Sequence, residues 1–133
     1  MLRIPKAIID QILAHARDTY PNESCGILAG RDTVPTHIYH VKNTDPNPRV
    51  RYLMDTQEQF WVFKNMRHNG LEVIAIYHSH PHTEAYPSPT DVSLAYYPEA
   101  TYILTSLQDP QNPILRAFKI KDGKITEEQI ETV

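Results

Sequence analysis

The chain has 133 residues, room for one domain with a modest core. Hydrophobic residues make up 41% and charged residues 22%, an ordinary globular usage that excludes a disordered or fibrous chain. Lys and Arg number 13 against 16 Asp and Glu, so the net charge of -3 offers no basic footprint for nucleic acid.

Pro5 to Tyr20 is predicted to be a helix, with Ile8, Ile12 and Ala16 in one apolar stripe beside Ile9 and Leu13 and with Pro21 ending it. Cys25 to Ala29, an apolar run between two glycines, reads as a buried strand, and Val34 to Val41 as a second one. Residues 43–48, Asn-Thr-Asp-Pro-Asn-Pro, must form a loop. Asp55 followed by Glu58 is a capping-box pattern, opening a helix with Phe60, Phe63 and Met66 at core spacing and an end at Asn69-Gly70. Leu71 to Tyr77 is predicted as the central strand. Its apolar stretch, Val73 to Tyr77, is the longest in the chain and far too short to span a membrane. A proline-marked loop leads to a short helix from Ser88 or Thr90 to Tyr97, then a strand from Thr101 to Leu107. Ile114–Lys121 and Lys124 onward flank Asp122-Gly123, the pair a tight hairpin turn demands. The interleaved helices and strands predict one mixed sheet packed by helices, with residues 1–133 in a single domain.

One cysteine, Cys25, excludes an intramolecular disulfide and any four-cysteine zinc site. The first residues lack the apolar stretch of a signal peptide, so a cytoplasmic chain is expected. Cys25 could be a nucleophile, but a cysteine inside an apolar run is expected in the core.

The 7 histidines carry the chemistry. Alternate residues of a strand share a face, so His78 and His80 project together from the end of the central strand. Two such imidazoles can reach one zinc ion, at roughly 2.0–2.1 Å each. The pair alone carries little, because scattered surface histidines give about a third of one His-x-His pair by chance. Ser88-Pro89-Thr90-Asp91 strengthens it: a serine and an aspartate three apart at a helix start lie on one face. Folded back on the strand end, that start makes Asp91 a third ligand, and three protein ligands with one open position mark a catalytic zinc site. Ser88 then stands where a hydroxyl can donate to a developing oxyanion. A base that is not a ligand is also required, and Glu23, in the turn before the Cys25–Ala29 strand, is the candidate. Sequence separation does not place it at the metal; a solvated turn carboxylate is the alternative. His82 is expected in a loop after Pro81, and His15, His37, His40 and His68 are expected to be solvated. Trp61 is open between an interface and a core contact.

Glu23, then His78-Ser79-His80-Pro81, six residues, then Ser88-Pro89-Thr90-Asp91 resembles the signature of the JAMM (MPN+) zinc metalloproteases. Glu23-Ser24-Cys25-Gly26-Ile27-Leu28-Ala29-Gly30 is also similar to that family's glutamate-bearing turn and first strand. The resemblance implies one zinc per chain on His78, His80 and Asp91, Glu23 as general acid/base and Ser88 as oxyanion donor. It implies an α+β domain of cytidine deaminase-like architecture, a curved, largely antiparallel sheet flanked by helices. It also implies hydrolysis of an amide or isopeptide bond after the C-terminal glycine of a ubiquitin-like protein. The short chain looks most like the compact prokaryotic members, including the CysO-cysteine peptidase type, whose partners are sulfur-carrier proteins ending in Gly-Gly. Alternatives are an inactive MPN-type scaffold, or a metallopeptidase acting on a cell-wall or phage-tail peptide.

Overall fold

The computed structural model describes residues 1–133 and orders the elements as β1 (Leu2–Ile4), α1 (Lys6–Thr19), β2 (Cys25–Gly30), β3 (His37–Val41), α2 (Thr56–His68), β4 (Glu72–His80), α3 (Pro89–Ser93), β5 (Thr101–Ser106), β6 (Ile114–Lys121), β7 (Lys124–Glu128) and β8 (Ile130–Thr132). Six strands form one sheet in the order β3-β2-β4-β5-β6-β7. Only β4 and β5 run parallel; every other pairing in that sheet is antiparallel. This is the mixed, largely antiparallel α+β architecture expected.

The β4–β5 connection holds α3 and the proline-marked loop, because parallel neighbours need a crossover rather than a hairpin. At the far edge, Asp122 (φ 51°) and Gly123 (φ 77°) make the two-residue turn that joins β6 to β7, the positive φ pair that suits strand twist.

Each face of the sheet has its own core. On one, Cys25, Ile27, Ile76, Leu104 and Phe118 pack with Val62 and Met66 of α2. On the other, Leu28, Ala75, Tyr77 and Ile103 pack with Ile8 and Ile12 of α1 and with Leu2 and Ile4 of β1. Tyr77 is fully buried beneath α1, and its hydroxyl lies 2.8 Å from Nδ1 of His15. Gly26 sits opposite Tyr77 in the β2–β4 register, where a Cβ would collide with the Tyr77 hydroxyl and the Tyr39 carbonyl.

Several elements differ from their sequence expectation. Phe60 is 72% exposed, and Val62 and Met66 are the buried residues of α2. Helical spacing alone cannot say which of two adjacent apolar stripes meets the sheet. Asp55 caps α2 by accepting from Glu58 N–H, but the capping box is not reciprocal: Asp55 N–H bonds Lys42 O, and the Glu58 carboxylate accepts from Lys42 N–H instead. The strand expected from Val34 begins at His37, and α3 ends at Ser93 rather than Tyr97. His15 is half-buried rather than solvated. The segment after Lys124 breaks into β7 and β8, and β8 leaves the large sheet to pair in parallel with β1.

Candidate metal centre

β4 continues through His80, three residues past the apolar run, because β5 pairs with it to its end, Ser106 beside His80, and β2 pairs with it as far as His78, opposite Cys25. The two histidines are therefore enclosed, at 1% and 5% exposure, and both rings lie on the Ile76 face. Their Nε2 atoms are 3.2 Å apart.

Asp91 reaches both rings from α3. Its Oδ2 lies 3.2 Å from His78 Nε2 and 3.1 Å from His80 Nε2. The local sequence holds that carboxylate in place. Ser88 is the N-cap of α3, its Oγ accepting from Asp91 N–H, while Ser88 N–H donates to Asp91 Oδ2 at 2.8 Å in a reciprocal capping box. Because Ser88 Oγ serves the helix as an acceptor, its hydroxyl proton stays available for another partner.

Glu23 arrives through sheet register. Cys25, the first residue of β2, is paired with His78, so continuing the antiparallel direction two residues before the strand brings Glu23 to the level of His80. The turn is pinned there by Ser24 N–H to Ser79 Oγ (2.8 Å), Ser79 N–H to Ser24 O (3.0 Å), Glu23 N–H to Pro48 O (2.7 Å) and Asn43 Nδ2 to Glu23 O (3.0 Å). A carboxylate oxygen of Glu23 lies within 4.8 Å of a nitrogen of each histidine. All five sequence candidates thus meet at one end of the sheet. His82 does not: it is exposed and sits edge-on to Tyr20.

The electrostatics suit a cation. His80 Nδ1 lies 2.8 Å from Glu84 O, and a carbonyl only accepts, so the proton is on Nδ1 and the Nε2 lone pair faces inward. That lone pair, the His78 ring and the Asp91 oxygen crowd a triangle with edges of 3.1–3.2 Å. Ligand atoms around a tetrahedral zinc with bonds of roughly 2.0–2.1 Å stand about 3.3 Å apart, so the triangle fits such an ion with little adjustment. Glu23 Oε1 and His78 Nδ1 are buried with no hydrogen-bond partner. Burial lowers the His78 pKa and keeps the ring neutral, as a metal ligand must be. Burial also acts on His80, but the Asp91 carboxylate and the Glu84 carbonyl favour its charged form, outweigh burial and raise its pKa. Asp91 is held well below the usual carboxylate range, its burial overcome by the two histidines and Ser88 N–H. Burial, with Asp91 and Asp45 adding to it, pushes Glu23 up to about 8.

Two neighbours of the site carry no sequence signal. Tyr52, in the segment before α2, stacks on His78 with ring centroids 4.4 Å apart. Beyond it a cavity of about 170 Å³ opens between Leu53, Phe63, Leu94 and Tyr97. Cys25 is fully buried, its thiol donates to Val41 O, and burial pushes its pKa up to about 12, so it is a core residue and not a nucleophile.

The mixed, largely antiparallel sheet flanked by helices is the fold of a JAB1/MPN domain. A JAB1/MPN domain protein from Archaeoglobus fulgidus has the same fold, with a TM-score of 0.64 at 19% identity over 96% of this chain and 97% of that one. The family model for prokaryotic homologs of the JAB domain matches residues 5–121, and the chain belongs to this compact prokaryotic JAMM/MPN+ family. It is 40% identical to the CysO-cysteine peptidase of Mycobacterium tuberculosis over 100% of this chain and 92% of that protein. A solution structure of a Desulfitobacterium hafniense protein matches with a TM-score of 0.89 and 39% identity, covering 100% of this chain and 93% of that one.

Proposed function

We propose that the protein is a zinc-dependent isopeptidase or peptidase that hydrolyses the amide bond after the C-terminal glycine of a ubiquitin-like or sulfur-carrier protein. The observation that carries this reading is the triangle of His78 Nε2, His80 Nε2 and Asp91 Oδ2, with a Glu23 carboxylate oxygen within 4.8 Å of both histidines and its Oε1 buried without a partner. His78, His80 and Asp91 would hold one zinc ion, which when bound supplies a Lewis acid and brings the pKa of its water towards about 7.

The remaining chemistry belongs to the chain. Glu23 takes the proton of the attacking water and returns it to the departing nitrogen. Ser88 donates its free hydroxyl proton to the carbonyl oxygen as negative charge develops there. Glu84 O fixes the His80 ring through Nδ1, so one lone pair is always directed inward. No helix is long and apolar enough to cross a membrane.

The similarity to a CysO-cysteine peptidase over the whole chain supports a carrier adduct as substrate. The test is to incubate a Gly-Gly-terminated carrier, joined through its C-terminus to cysteine or to a lysine side chain, with the purified protein and follow the carrier mass. Release of the intact carrier, stopped by a chelator and restored by zinc, is expected. Release that a chelator leaves untouched would end the metalloprotease reading.

A further inference from the structure

The two histidines of the triangle are held in different ways. His80 has a hydrogen-bond partner on its outer nitrogen, Glu84 O at 2.8 Å. His78 has none: its Nδ1 is buried without a partner, so no hydrogen bond on that side sets the angle of its ring. Metal-binding histidines normally donate that outer N–H to a carbonyl, carboxylate or water, which fixes the ring and its tautomer. What covers His78 instead is the Tyr52 ring, stacked at 4.4 Å between centroids and 29° between planes.

A stacked face at that distance blocks rotation of the imidazole out of its plane, as an aromatic contact can do without a polar atom. The other strands cannot supply this restraint, because β2 and β5 flank His78 through the backbone ladder rather than over its ring. Tyr52 is anchored in turn. Asn43 and Met54 form a bridge beside it, Leu53 N–H donates to Asn43 Oδ1, and the Asn43 side chain also holds Glu23 O. One asparagine therefore ties the segment that carries Tyr52 to the turn that carries Glu23.

We infer that Tyr52 is the positioning residue for His78, doing by ring stacking what the Glu84 carbonyl does for His80 by a hydrogen bond. The inference rests on the metal reading proposed above. The requirement is for the aromatic face, and the phenol oxygen plays no part in it.

The experiment measures zinc affinity by competition with a chromophoric chelator, and the visible bands of the cobalt(II)-loaded protein, for the wild type and three variants. Tyr52→Phe keeps the ring and should stay within about twofold of wild-type affinity with the same cobalt spectrum. Tyr52→Leu keeps apolar bulk without the ring and should lose about 10- to 100-fold in affinity, with altered cobalt bands. Ile12→Ala, a truncation of α1 in the core on the opposite face of the sheet, controls for lost stability: it should lower Tm and leave the affinity unchanged. Wild-type affinity in Tyr52→Leu, or an equal loss in Ile12→Ala, would overturn the role of Tyr52 while leaving the metal site intact. A wild-type protein that binds no zinc would remove the metal reading and this inference together.

Discussion

Glu23 and Asp91 are both carboxylates at one site, and their environments set them apart. Asp91 is wrapped by two histidines and a backbone N–H and stays ionised; Glu23 is buried with an unpartnered oxygen and is pushed up to about 8. Different surroundings give two identical groups different tasks. Glu23→Gln keeps the shape and removes the proton shuttle, so turnover of a carrier adduct should fall by about 10²–10⁴. Ser88 has two duties, and both rest on the same hydroxyl. Ser88→Ala removes the cap that aims Asp91 as well as the oxyanion donor, whereas Ser88→Thr keeps both groups. Zinc affinity should drop in the alanine variant and hold in the threonine one, read by the same chelator competition.

Another residue-scale prediction concerns His15, on the opposite face of the sheet. Burial and the neighbouring His40 lower its pKa from 6.5 to about 4. In the unfolded chain it takes up a proton near 6.5, so between those values the unfolded state binds more protons than the folded one. The stability linked to His15 is present above pH 6.5 and is lost as pH falls towards 4. Urea midpoints measured across that range should fall less steeply in His15→Gln than in the wild type. An unchanged slope would show that His15 is not the group responsible.

At the scale of elements, the site depends on β4 running past its apolar stretch, paired with β2 as far as His78 and with β5 to its last residue. Both histidines share a face because the period of two continues through His80, and that much was legible in the sequence as His-x-His after an apolar run. The Ser88/Asp91 spacing was legible too, because a capping box is a local device whose atoms lie within one turn. The position of Glu23 was not. It depends on the register between β2 and β4, residues more than fifty apart in the chain, and on Ser24 meeting Ser79. Only the family resemblance pointed to it in advance. Tyr52 was equally hidden, since nothing local distinguishes a loop tyrosine that covers a ligand from one that does not. The β2–β4 register is itself testable at Gly26, where a Cβ meets Tyr77 and the Tyr39 carbonyl. Gly26→Ala should destabilise the protein by about 1–3 kcal/mol through overpacking, seen as a lower urea midpoint with an unchanged slope.

For the whole molecule, two cores clamp one sheet, and the open chemistry sits where β2, β4 and the start of α3 converge at its margin. The order of elements and the mixed sheet could be read from periodicity and turn residues. The pairing of β8 with β1 could not, because three-residue strands carry no pattern of their own. The measurement that tests the account most directly is zinc stoichiometry across single substitutions at the converging residues. His78→Ala, His80→Ala and Asp91→Ala should each lose stoichiometric zinc, and Glu23→Gln should retain about one ion per chain while losing turnover. Because Glu23 and the two histidines also lie close enough to share an ion, the opposite pattern has a clear meaning. Zinc kept by Asp91→Ala and lost by Glu23→Gln would make Glu23 the ligand and contradict the mechanism.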